Sequence, residues 1–142
     1  MKLVRIARKQ WDVLAVCDER GRCQVLDFLA DLDGPYQVAA ESMLALLHLI
    51  VPASGPPRGE PLTKHLGDRI FEFRRQPKGK KLRVIWFYGG DAVIVCTAAF
   101  CKAERTPRVQ LDQARFLARQ YWLARGRREI RIIDLKDQEG SP

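Results

Sequence analysis

A chain of 142 residues with a net charge of +8 is long enough to build one domain around its own apolar core, without a disulfide or metal staple. Residues 58–108 carry 12 basic and 5 acidic side chains, so this segment alone contributes +7 of the net charge. Charge focused on one segment argues against a uniformly basic surface and indicates a polyanionic partner, either a nucleic acid or an acidic protein.

The first part of the chain predicts a strand, two helices and a loop. Apolar runs, helical spacing, and Pro and Gly content indicate them in chain order: a strand at 11–17, a turn at 18–22, a helix at 25–32 that stops at Gly34, a helix from Pro35 to about residue 51, and a loop at 52–61. The loop separates two parts that look too small to fold alone, so we interpret it as a loop within one domain.

The centre of the chain predicts a small sheet. Its three apolar runs, each short enough for a strand, lie at 69–74, 82–88 and 92–100. The first two are joined by a basic turn at 76–81, and the last two by a Gly-Gly-Asp turn at 89–91. Short runs joined by such turns predict an antiparallel meander, with the basic residues at strand ends and in turns.

The last part predicts a third helix and an edge strand. Thr106 and Pro107 suit a helix start, Gly126 suits its end, and residues 129–135 have partial strand-like alternation. The order of elements predicts a small α+β domain, with two N-terminal helices and one C-terminal helix packed on one face of an antiparallel sheet. We expect one domain over residues 1–136 and a disordered tail at 137–142.

Cysteine spacing and hydropathy argue against a metal site and a membrane segment. The four cysteines have no paired C-x-x-C spacing, and the two histidines complete no zinc pattern, so we predict no metal, no cofactor and buried free thiols. Residues 1–9 alternate charged with apolar side chains, and the longest apolar stretch, 43–51, is too short to span a bilayer. These features predict a cytoplasmic protein without a membrane partner.

Basic residues around the predicted hairpin are candidates for binding a phosphodiester. Arg74 and Arg83 should lie near each other across the hairpin, and strand parity decides whether they share a face. Lys102 follows the last strand, just before a helix start whose free N–H groups suit a phosphate. Such groups would also stabilise the added negative charge of a phosphorane-like transition state. The further phosphate-binding candidates are Arg75, Lys78, Lys80, Lys81 and Arg105.

Several candidate site residues also have a simpler, structural interpretation. Lysines in a hairpin turn are equally well explained by solvation. His65 is the one group near the sheet whose unperturbed pKa suits a general base, although a loop histidine at the rim also fits. Tyr88 can stack on a base, but a strand-end aromatic residue more often belongs to the core.

Four short motifs, in order and spacing, resemble the RelE/ParE toxin superfamily, and within it the HigB-type and phage-derived toxin-like branch. They are Glu72-Phe73-Arg74, Leu82-Arg83-Val84, Phe100-Cys101-Lys102 and Arg105-Thr106-Pro107. The residues that open the first helix, Gly21, Val25, Phe28 and Leu29, fit the same pattern. The resemblance covers roughly residues 11–125.

The resemblance implies a RelE-like fold and the toxin of a type II toxin–antitoxin pair. Toxins of this kind enter the ribosomal A site and cut mRNA without a metal, using the 2′-OH of the RNA as nucleophile and leaving a 2′,3′-cyclic phosphate. By position, Arg74, Arg83 and Lys102 would be the catalytic residues. The implied partners are the ribosome, mRNA and a separate antitoxin with a helix-turn-helix DNA-binding part.

Departures from the pattern leave other functions open. Cys101 stands where the branch has a lysine, Ala103-Glu104 weakens the basic run, and arginine cannot act as a general base at neutral pH. One alternative is a non-catalytic protein of the toxin fold that inhibits a protein target, as ParE-type relatives inhibit DNA gyrase, or a degenerate phage remnant. Another is a general RNA-binding module, although the aromatic-rich surface motif of such modules is absent from the sequence.

Overall fold

The computed structural model of the chain describes residues 1–49, 55–57, 61–101 and 107–134. The described residues form three α-helices and one sheet of seven strands. The helices are α1 (Gln24–Asp31), α2 (Pro35–Leu49) and α3 (Arg108–Gly126). The strands are β1 (Lys2–Arg8), β2 (Asp12–Val16), β3 (Thr63–Gly67), β4 (Ile70–Arg75), β5 (Leu82–Tyr88), β6 (Val93–Cys101) and β7 (Arg131–Asp134).

The sheet has the order β3-β4-β5-β6-β2-β1-β7 among the described residues. Its β3–β6 half is the predicted antiparallel meander, extended by β3 at the edge. The small α+β, RelE-compatible fold class is confirmed. The sheet, predicted as antiparallel, is mixed, because β2 pairs with β6 and β1 pairs with β7 in parallel. These two pairings join segments far apart in sequence, which no local turn signal reports.

The helices cover both faces of the sheet, whereas the sequence predicted one covered face. α1 and α2 pack on the face that includes Phe73, Val84 and Trp86, and α3 packs on the face that includes Ile85 and Phe87. Side chains alternate between the two faces of a strand, and β5 is apolar at nearly every position. Both faces therefore carry apolar side chains that need a covering layer.

The predicted helices are confirmed to within a residue or two, since α1, α2 and α3 begin at Gln24, Pro35 and Arg108. The predicted edge strand is confirmed as β7. β1 and β3 were not predicted, because β1 looked like an alternation of charge and β3 has few apolar residues. Thr106, most of the 52–61 loop and the 137–142 tail lie outside the described residues.

The cysteines are all free, as predicted, but they are not all buried. Cys17, Cys23 and Cys96 lie in the core, whereas Cys101 is exposed at the end of β6. None of the described helices combines the length and the apolar character that crossing a membrane requires.

Candidate functional site

Arg74 and Arg83 are direct partners across the β4–β5 pair. Opposite residues of an antiparallel pair project to the same face, and here it is the face that α3 covers, together with Ile85 and Phe87. The parity that the sequence left open therefore brings the two guanidinium groups to one side of the sheet.

A buried carboxylate lies between the two arginines. Glu72 is fully buried, two residues before Arg74 on β4, and it projects to the same face. Its Oε1 lies 3.5 Å from Nε of Arg83 and 3.9 Å from Nε of Arg74. We call Glu72, Arg74 and Arg83 the arginine–glutamate cluster; at neutral pH its formal charges sum to +1.

Arg83 is held inside the cluster rather than presented to solvent. Its side chain is 1% exposed. Its Nη1 donates to the backbone oxygen of Leu82 at 3.0 Å, and its Nη2 donates to Oε1 of Gln76 at 2.9 Å. Burial and the nearby Arg74 charge lower the pKa of Arg83, and Glu72 opposes the shift.

Arg74 is the more accessible guanidinium of the cluster. Its side chain is 23% exposed, against 1% for Arg83. An anion arriving from solvent would therefore meet Arg74 first, with the charge of Arg83 behind it. The arrangement can bind a phosphate oxygen through Arg74 while Glu72 offsets part of the repulsion between the two cations.

Other predicted site residues lie on the opposite face or in the turn. Arg75 donates from Nε to the backbone oxygen of Ser42 in α2 at 3.2 Å, and the Lys80 ammonium lies 5.6 Å from the ring centroid of Tyr36. Both side chains are thus held against α2, away from the α3 face. Lys78 and Lys81 are exposed at the turn between β4 and β5.

The two aromatic candidates also lie on the α1/α2 side of the sheet. His65 is exposed on the edge strand and stacks on Phe71, with ring centroids 4.9 Å apart. Tyr88 packs edge-on against Phe71 and Trp86 in an aromatic cluster. The structure therefore does not bring either ring to the arginine–glutamate cluster. Lys102 and Arg105 lie outside the described residues.

The model of one protein family, described as "Phage derived protein Gp49-like (DUF891)", matches residues 27–119 of the chain. The match covers well over half of the sequence. The chain belongs to this family. No curated protein matched the chain.

The part of the chain shared with the Gp49-like family holds the whole candidate site. It runs from α1 to the middle of α3, so it includes the meander and the arginine–glutamate cluster, as well as every residue that the sequence predicted for the site. β1, β2 and β7, which complete the sheet on its far side, lie outside the match.

Sequence reasoning assigned no role to two residues that shape this site, Glu72 and Gln76. Glu72 was noticed only as part of a motif, yet it is an acidic residue inside the apolar run of β4. A charged residue in a buried strand position requires a partner, and the nearby arginines supply one. Gln76 carried no such signal, because its contact with Arg83 depends on how the chain turns after β4.

Proposed function

We propose that this Gp49-like protein is the toxin of a type II toxin–antitoxin pair and acts as a ribosome-dependent endoribonuclease on mRNA. Membership of a phage-derived, toxin-like family supports the toxin assignment. The observation that carries the nuclease assignment is the pairing of Arg74 with Arg83 on one face, backed by Glu72. The proposed partners are the ribosome, mRNA and an antitoxin.

In this proposal Arg74 and Arg83 interact with the same phosphate. Arg74 contacts the non-bridging oxygens of the scissile phosphate, because it is the cluster's more exposed guanidinium. Arg83 stays anchored by Gln76 and Leu82 and adds positive charge behind Arg74. Arg74 and Arg83 are both positively charged and repel each other. A bound phosphodiester is negatively charged, so it would offset this repulsion and would itself be stabilised by both cations.

The proposed reaction needs no metal. The 2′-oxygen of the RNA forms a bond to phosphorus while the bond from phosphorus to the 5′-oxygen breaks, which leaves a 2′,3′-cyclic phosphate. The 2′-OH loses its proton and the departing 5′-oxygen gains one. Neither arginine can accept a proton at neutral pH, so we assign these transfers to groups that the ribosome and water supply. Lys102 remains proposed as the third group that stabilises the transition state.

The test is primer extension on a reporter mRNA after brief induction of the protein in cells. Wild type should produce discrete cuts inside translated codons. Arg74→Ala should reduce the cutting by about 100-fold or more, because it removes a charge-stabilising contact to the transition state. Arg74 is the better first variant, since truncating the buried Arg83 also removes a structural contact.

Arg20→Ala is the matched control, because Arg20 is exposed in the turn after β2, on another part of the chain. This variant should cut like wild type, and circular dichroism should show all variants folded. Cutting that survives Arg74→Ala would contradict the assignment of the cluster. Growth arrest with intact mRNA would contradict the nuclease activity itself.

One observation favours a second candidate, a toxin-fold protein that inhibits a protein target such as DNA gyrase. The hydrogen bonds that Arg83 makes within the chain occupy donors that a phosphate would otherwise use. For this candidate, growth arrest should persist in Arg74→Ala, with unbroken mRNA. Supercoiling of a plasmid, measured in the same cells, separates the two functions.

A further inference from the structure

A second surface, separate from the arginine–glutamate cluster, lies on the face of the sheet that α3 covers. A cavity of about 1020 Å³ lies between α3, the β3–β4 turn and the end of β5. Ile70, Phe87 and Ala118 contribute apolar lining. We call this cavity the α3 groove. Its lining, among the residues that the structure describes, includes no member of the arginine–glutamate cluster.

Large apolar side chains stand open to solvent on the α3 side of the groove. Trp122 is 45% exposed and Leu123 is 56% exposed, and both line the groove. An exposed tryptophan at the lip of an apolar cavity is a typical anchor of a protein interface, and the exposed leucine beside it enlarges the apolar patch. Water filling a space of this size, roughly thirty molecules, would be released when a partner fills it.

The rim of the groove is positively charged. Arg69, Arg115 and Arg119 line it together with a single acidic residue, Asp68. Asp68 is already engaged, because its Oδ2 lies 2.8 Å from Nε of Arg115. The lining side chains therefore carry a net charge of +2, distributed around an apolar floor.

The turn that presents two of these charges has an unusual backbone. Asp68 and Arg69 form the two-residue connection between β3 and β4, and their φ angles are 52° and 61°. A turn of this kind requires positive φ at both central residues and is normally built from Asn and Gly. Strained positions tend to be kept where they present functional groups, and here they place Arg69 at the rim.

We propose that the α3 groove binds an acidic amphipathic helix of a partner protein. One apolar stripe of that helix would insert between Trp122, Leu123 and the floor of the groove. Glu and Asp residues flanking the stripe would pair with Arg69 and Arg119, because Arg115 is already paired with Asp68 and Asp112. This is the helix-in-groove mode of recognition, with charge complementarity selecting the partner. The inference stands whether or not the chain is a nuclease.

Charge and chemistry argue against the other occupants. A second copy of the chain would bring a net charge of +8 toward a groove that is itself positive. A nucleic acid would find few polar groups on the apolar floor of the groove to read its bases. An acidic helix matches both the charge and the apolar floor.

The test uses two display libraries of 16-residue amphipathic peptides and the full chain as bait. Both libraries place Leu, Ile, Phe or Trp on one helical stripe; the other positions are acidic in one library and basic in the other. Selection should enrich the acidic library at least about 10-fold over the basic one. The binding of the best acidic peptide, labelled with fluorescein, is then measured by fluorescence anisotropy.

Two variants and two matched controls locate the binding. Leu123→Asp and Arg119→Glu should each weaken the selected peptide by about 10-fold or more. Leu49→Asp changes another exposed leucine, 65% exposed at the end of α2, and Arg20→Glu changes an exposed arginine elsewhere; both should bind within about 2-fold of wild type. Circular dichroism confirms that each variant is folded.

Four results would overturn the proposal. The first is equal enrichment of both libraries or of neither, and the second is a peptide affinity that Leu123→Asp and Arg119→Glu leave unchanged. The third is binding of a single-stranded RNA oligomer that those two variants abolish. The fourth is self-association of the chain that Leu123→Asp abolishes. The third would assign the groove to nucleic acid, and the fourth to a second copy of the chain.

Discussion

The two faces of the sheet are built from the same strands but differ in the side chains that they carry. On the α1/α2 face, Phe73, Trp86 and Met43 lie in a closed apolar cluster with no exposed surface. On the α3 face, apolar residues such as Phe87 share the sheet with the buried pair Glu72 and Arg83, and an open groove lies beside them.

The difference follows from alternation along β4 and β5. Odd positions of β4 and even positions of β5 supply the apolar face, whereas Glu72, Arg74 and Arg83 fall on the other parity. One face can therefore be optimised for stability while the other carries charge at a cost in desolvation. The comparison predicts that mutations on the first face act mainly on the free energy of unfolding, and mutations on the second act on binding and activity as well.

The largest expected effect lies on the apolar face. Trp86 is fully buried and stacks on Phe73 and Phe71, with ring centroids 4.6 Å and 4.7 Å apart. Trp86→Ala should lower the free energy of unfolding by about 3–5 kcal/mol, because it leaves a large cavity. Urea denaturation followed by circular dichroism measures the change.

Trp86→Phe is the control for this prediction. No described residue accepts a hydrogen bond from the buried Nε1 of Trp86, so the indole N–H contributes a desolvation cost. Phenylalanine removes that cost and keeps most of the apolar volume, and the loss should be well below that of Trp86→Ala. Equal losses in the two variants would show that the indole N–H has an unseen partner.

How much of this contrast the sequence could predict depends on how local its cause is. The alternation that separates Arg83 from Trp86 is visible within one strand, and so is the hairpin that brings Arg74 opposite Arg83. The parallel pairing of Asp12 with Val93 is not, because it joins two strands about 80 residues apart. The apolar run of β5 shows that both faces need a cover, but which helix covers which face depends on the course of the chain between the strands, and no local pattern reports it.

The next effect concerns the buried charges of the α3 face. Arg83→Met should lower the free energy of unfolding by about 3 kcal/mol, because Glu72 stays buried with one cation fewer beside it. The double variant Arg83→Met, Glu72→Gln should recover part of the loss, since it also removes the buried carboxylate, whose other nearby cation, Nε of Arg74, lies farther away at 3.9 Å. Urea denaturation of the four members of this cycle gives the coupling energy.

A coupling energy near zero would contradict the contact between Glu72 and Arg83 as a stabilising pair. The same proteins also sharpen the comparison of the two faces. The double variant should regain stability without regaining mRNA cutting, because it removes the buried carboxylate but does not restore the Arg83 cation. A double variant that cuts mRNA like wild type would move the function away from Arg83.

Alkaline pH should weaken the apolar face through its buried thiols. Burial raises the pKa of Cys23 from its ordinary value of 9.0 to about 12, and it raises the pKa of Cys96 as well. The folded state therefore keeps its proton where the unfolded chain has lost it, so stability is complete below pH 9 and falls as the pH rises toward 12.

Cys23→Ala should make this fall shallower by up to about 1.4 kcal/mol per pH unit between these limits. Urea midpoints measured at half-unit steps of pH, for wild type and variant, provide the slopes. Cys101→Ala is the control, because that thiol is exposed and burial raises its pKa less than that of Cys23, so this variant should change the slope less. Identical slopes for wild type and Cys23→Ala would contradict a buried, protonated Cys23.

The smallest effect tests how α3 is held on the charged face. Oη of Tyr121 donates to the backbone oxygen of Gly89 at 2.6 Å, and the ring packs edge-on against Phe87. Tyr121→Phe removes only the hydrogen bond and should cost about 1 kcal/mol of unfolding free energy. A side chain at Gly89 would meet that same hydroxyl at 2.8 Å, so Gly89→Ala should already disturb the bond.

Combining Tyr121→Phe with Gly89→Ala should therefore cost less than the sum of the two single losses, as urea denaturation can measure. Strictly additive losses would mean that the added methyl group does not disturb the hydrogen bond of the Tyr121 hydroxyl. The contact between the Tyr121 ring and Phe87 would then be what holds α3 at this point. The outcome matters for the groove, because Trp122 and Leu123 follow Tyr121 directly on α3.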